Sequence, residues 1–90
     1  MKAIKVRYRK LGKEKCWGMA HSEGIVEIDS SLKGKKYIEV LVHECLHLLL
    51  PTESESSVEK KAIILSNTIW QQGLRRVDNS NDIPLQDGSL

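Results

Sequence analysis

The segment His43-Glu44-Cys45-Leu46-His47, followed at once by Leu48, Leu49 and Leu50, limits what this chain can fold into more than any other stretch. Residues four apart lie one above the other on a helix, so a helix here brings the imidazoles of His43 and His47 together. At 3.6 residues per turn, Glu44 falls about 100° around from His43, beside the pair and not behind it. Two neutral imidazoles so placed can hold Zn²⁺ while the neighbouring carboxylate takes a proton from water on the metal. Cys45 falls about 200° from His43 and is expected to pack as a small buried hydrophobe instead of ligating.

The same stretch dictates its surroundings. Residues 36–50 are helical in length and apolar nearly all round, with Ile38, Leu41, Cys45, Leu48 and Leu49 opposite the histidines and Glu39 near them. A helix this apolar belongs at the centre of the fold, packed on more than one side. Pro51 ends it, and Pro51-Thr52-Glu53-Ser54 is so short that a helix starting near Ser54 must return antiparallel. The second helix is predicted to run to about Gln72, stopped by Gly73, with an apolar stripe of Val58, Ala62, Ile63, Leu65, Ile69 and Trp70.

A catalytic zinc site takes three protein ligands and keeps one position open, and the returning helix carries the candidates for the third. Glu53, six residues after His47, stands where metzincin-like sequences place a third His, but it is discounted because Leu50, followed by Pro51, replaces the glycine that those proteins use for the turn. Glu55, eight residues after His47, comes level with it on the returning helix and is the preferred ligand; Glu59, one turn further and level with Glu44, is the alternative. A competing role exists for Glu55, since Thr52-x-x-Glu55 also fits a capping box.

Ahead of the helices, residues 3–9 alternate strictly, with Ile4, Val6 and Tyr8 on one side and Lys5, Arg7 and Arg9 on the other, as in a half-buried strand. Residues 11–15 read as a turn, residues 16–21 as a second strand, Ser22-Glu23-Gly24 as a hairpin connection and residues 24–29 as a third strand. Gly34 is expected to break the chain before the first helix. The expected fold is therefore α+β: a small antiparallel or mixed sheet of about three strands on two antiparallel helices. Ninety residues suffice for one domain, taken as residues 1–76, and the polar, aperiodic residues 77–90 are expected to be a mobile tail.

Charge sets further bounds. Seven of the fourteen Lys and Arg residues fall in the first fifteen positions, yet the net charge is only +2, so a nucleic-acid role through the basic first strand is the weaker expectation. Neither a secretion signal nor a membrane span is visible, which makes a cytoplasmic location with Cys16 and Cys45 as reduced thiols the default.

Residues 25–70 resemble the minimal zincin-like metallopeptidases of the gluzincin type, small proteins of phages and bacteria. The likeness rests on Ile25-Val26-Glu27-Ile28-Asp29 before the helix, on Val42-His43-Glu44-Cys45-Leu46-His47, and on Pro51 followed by Glu55 opening an apolar-striped helix. It implies a sheet over an active-site helix, a second helix bringing the Glu ligand, substrate along the edge strand, and zinc-dependent cleavage of a peptide or protein. Zincin domains usually begin with a helix, whereas here the first recognisable element is a strand. The Tyr or His that often steadies the oxyanion in such enzymes has three candidates, Tyr8, Tyr37 and His21. The rival expectations are a non-catalytic zincin-fold binding protein and a metal-dependent hydrolase acting with nucleic acid.

Overall fold

The alternation in the first third of the chain becomes a three-stranded sheet of β1 (Lys5–Arg9), β2 (Gly18–His21) and β3 (Ile25–Asp29), in the order β1-β3-β2. This computed structural model describes residues 2–77, so the tail expected from residue 77 onward lies, Val77 apart, outside the described residues. β2 and β3 form an antiparallel hairpin whose turn needs a left-handed residue, supplied by Gly24 at φ 92°, with its N–H donating to the His21 carbonyl. β1 joins the other side of β3 in parallel, giving the mixed version of the expected sheet. β3 takes the middle because it is the most apolar strand: Val26 and Ile28 are fully buried.

The outer sheet face is polar. Arg9 donates through Nε and Nη2 to Glu27, and His21 approaches the same carboxylate at 3.0 Å. Those two partners hold the Glu27 carboxyl down at about 2. The connection from β1 to β2 passes through a single 3₁₀ turn, Gly12–Glu14, and is tied down at Leu11. Leu11 is fully buried, and its N–H donates to the Asp29 carboxylate at 2.9 Å.

The inner sheet face rests on α1 (Gly34–Leu49). Gly34 opens this helix instead of breaking the chain before it, because its φ of 63° lets the backbone swing directly into the first turn. Tyr37, Ile38 and Val40 join Val26, Ile28 and Leu32 in the core, with Leu41, Cys45 and Leu48 packed against them. Leu49, expected in that group, is 60% exposed.

α2 (Glu55–Gln71) returns antiparallel: Glu55 meets the end of α1, and the Trp70 ring lies beside Gly34 at its start. It packs chiefly on α1, and this narrows the buried stripe. Val58, Ala62 and Ser66 are buried and Ile69 and Trp70 border the core, whereas Ile63 and Leu65, both expected in the stripe, are 40% and 44% exposed. A helix with one main neighbour buries a single i, i+4 row, and Ile63 and Leu65 flank that row. Ser66 fits into it by donating its hydroxyl to the Ile63 carbonyl at 3.1 Å. Among the described residues, no helix is long and apolar enough to cross a membrane.

Candidate metal centre

The helical register does to the two histidines what their spacing requires. Their ring centroids are 4.8 Å apart, and Nε2 of His43 and Nε2 of His47 approach to 3.1 Å. On the returning helix, Ser54 is the N-cap, accepting from the Ser57 N–H through its side-chain oxygen. The Thr52 capping box is thus not used, and Glu55, in the first turn of α2, is left to reach across to α1. Its Oε2 stands 2.9 Å from His43 Nε2 and its Oε1 2.9 Å from His47 Nε2.

The other two glutamates are placed differently. Glu53 is held by the Ser57 hydroxyl and the Lys61 ammonium, both at 2.7 Å, which lowers its pKa. Glu59 lines the same groove as Glu55 but does not belong to the His43, His47 and Glu55 group.

These three side chains could together hold a metal ion. Two ring nitrogens and two carboxylate oxygens converge, and neutral imidazoles can offer at most one N–H each. If both hydrogens point at Glu55, the 3.1 Å contact between the nitrogens sets two N–H groups side by side; if either nitrogen is bare, a contact to a Glu55 oxygen sets lone pair against lone pair. A cation satisfies all four atoms at once. The ligand atoms of a four-coordinate zinc ion stand about 3.3 Å apart, given bonds of roughly 2.0–2.1 Å, so the observed spacing needs little adjustment.

Glu44 lies beside this cluster, half-buried where α1 meets the sheet. Burial pushes its pKa up, His43 and His47 pull it back, and Glu55 adds to the rise. Two hollows meet at this residue. A groove of about 340 Å³ runs past Trp17, Gly18, Glu39 and His43, and a second hollow of about 590 Å³ extends past Ala20, Ser22, His47 and Pro51. Together they follow β2, an edge strand of the sheet.

One contributor escaped the sequence reading. A Cβ on Gly18 would come within 2.8 Å of Val40 Cγ1 and 2.9 Å of Glu44 Cγ, so only glycine lets β2 lie this close to the helix beside Glu44. The signal available was a lone glycine inside an apolar strand, which by itself does not say what approaches it. The three oxyanion candidates, in contrast, do not line either hollow at the histidines. Tyr8 and Tyr37 pair with each other through their hydroxyls at 2.7 Å, and His21 faces Glu27 on the outer sheet face.

No protein-family model, curated protein or solved structure matches the chain. The functional reading therefore rests on the site itself. Both cysteines are free, and burial raises the pKa of each, with Cys45 on the core side of α1 and outside the histidine cluster.

Proposed function

We propose that this chain is a zinc-dependent peptide hydrolase of the gluzincin type, with His43, His47 and Glu55 as ligands and Glu44 as the general base. The observation that carries the proposal is the convergence of the two Nε2 atoms and both Glu55 oxygens within 2.9–3.1 Å, next to a half-buried carboxylate in an open groove. A zinc ion at these atoms would supply Lewis acidity, polarising the scissile carbonyl and acidifying water. The Glu44 carboxylate, raised in pKa by its partial burial, takes the proton from the attacking water and returns it to the leaving amine. An extended peptide laid along β2 would use the backbone groups of that edge, as in strand addition, and would bring its carbonyls past Glu44. Ser54 and the Pro51 turn serve the site by fixing where α2 starts, and Gly18 by setting the distance between β2 and Glu44.

The test is cleavage of a fluorogenic peptide mixture by the zinc-loaded protein and by Glu44→Gln. Cleavage that a chelator stops, and that Glu44→Gln loses while still holding zinc, supports the assignment. Full cleavage by Glu44→Gln contradicts it.

A further inference from the structure

A separate cavity, of about 480 Å³, lies at the other end of α1, between the start of that helix and the segment following α2. Its volume is in the range of small-molecule sites, about 300–1,000 Å³. Lys33, Arg75 and Arg76 line it together with Gly34, Tyr37 and Trp70, and among the described residues no lining residue is acidic. The arginines are held in place: Arg75 lies 3.3 Å from the Trp70 ring centroid and donates through Nη1 to the carbonyls of Trp70 and Leu74. Arg76 stacks over Tyr8 at 4.2 Å and reaches Tyr37 at 5.1 Å. Among the described residues, none of the three cations has a carboxylate within ion-pair distance.

A helix start carries partial positive charge and favours anions, yet α1 has no acidic residue in its first turn, no side-chain cap at Lys33, and Lys35 and Lys36 within that turn. Fixed cations gathered at a positive helix end repel one another and the backbone field. An anion between them removes both penalties.

We propose that this cavity binds a phosphate ester, with Lys33, Arg75 and Arg76 contacting the phosphate. Two guanidinium forks and an ammonium around one hollow suit a multiply charged tetrahedral anion better than a single carboxylate. The phosphate can belong to a free nucleotide or to a nucleic-acid backbone. This site is independent of the metal reading, because it shares none of its lining residues with the groove at His43.

Trp70 lines the cavity and reports on it directly; substituting Trp17→Phe removes the other tryptophan signal. In that background, adenosine monophosphate, inorganic phosphate and a short single-stranded oligonucleotide are titrated at low salt while Trp70 emission is followed. A saturable change is expected, and Lys33→Gln and Arg76→Gln should each weaken it by about tenfold, the usual scale for losing one charge-assisted contact. Saturation by the mononucleotide assigns the site to free phosphate esters. Saturation by the oligonucleotide alone, falling steeply with salt, assigns it to a nucleic-acid backbone. Circular dichroism confirms that Lys33→Gln, an exposed loop change, stays folded. No saturable change with any of the three probes, or affinities unaltered in both variants, overturns the proposal.

Discussion

The two ends of α1 carry opposite chemistry. Its amino end gathers Lys33, Lys35, Arg75 and Arg76, with Lys36 of the same turn lining the groove of His43, whereas its carboxyl half gathers two histidines with Glu44 and Glu55. A helix dipole favours the reverse, carboxylates at the start and cations at the end. Charge set against the backbone field, in a hollow at both ends, is what the two proposals share: an anion would relieve it at the amino end and a metal cation at the carboxyl end. The ends differ in how they are built. The His43, His47 and Glu55 end uses three side chains fixed by helical register and a tight Pro51 turn, while the basic end relies on long arginine side chains held by aromatic faces.

Removing a metal ligand breaks the contrast most severely. His47→Ala should weaken zinc binding by more than about 100-fold, since even partners that merely orient ligands are worth 10–100-fold, and the Trp70 response to phosphate should be unchanged. Competition against a chromogenic chelator measures the first, and fluorescence the second. Next in size, Glu44→Gln should lower peptide cleavage by about 10²–10⁴-fold while zinc stays bound.

Glu44→Gln also separates the metal-free states by pH. Burial raises the folded-state pKa of Glu44 above its unfolded value of ~4.3. Folded protein therefore holds this proton more tightly, and the stability so contributed is present below pH ~4.3 and lost as pH rises through the folded pKa. Metal-free Glu44→Gln lacks that loss, so its advantage in melting temperature over the parent should grow as pH rises through that window, a trend that melts at a series of pH values resolve.

Gly18→Ala acts more gently on the same end. The added methyl meets Val40 and Glu44, so a destabilisation of about 1–3 kcal/mol is expected, with cleavage falling further than zinc affinity. The smallest effect belongs to the amino end. Lys35→Glu places a carboxylate in the first turn of α1 and should stabilise the protein by about 0.3–1 kcal/mol at low salt, read by thermal melting.

What the sequence made legible was whatever local periodicity determines. The strict alternation around Val6, the spacing of His43 and His47, and the Pro51 turn predict the strands, the helical hairpin and the level at which Glu55 returns. Pairing between distant segments was not legible. β1 could have paired with either neighbour, and its parallel place beside β3 depends on which strand buries the most apolar surface in the finished sheet. The wheel for α2 identified an apolar side without saying how wide a neighbour would cover it, so Ile63 and Leu65 remain part-exposed. Gly18 at Glu44 is a contact between residues 26 positions apart, and the basic cavity joins Lys33 to Arg75 across 42. Neither leaves a periodic trace.

On the function proposed above, α1 and α2 build a metal site whose third ligand is Glu55. Zinc content of protein purified without added metal, compared among the parent, Glu55→Ala and Glu59→Ala, tests it directly. One zinc per chain in the parent and in Glu59→Ala, with loss in Glu55→Ala, is the predicted result. A full complement of zinc in Glu55→Ala would contradict it.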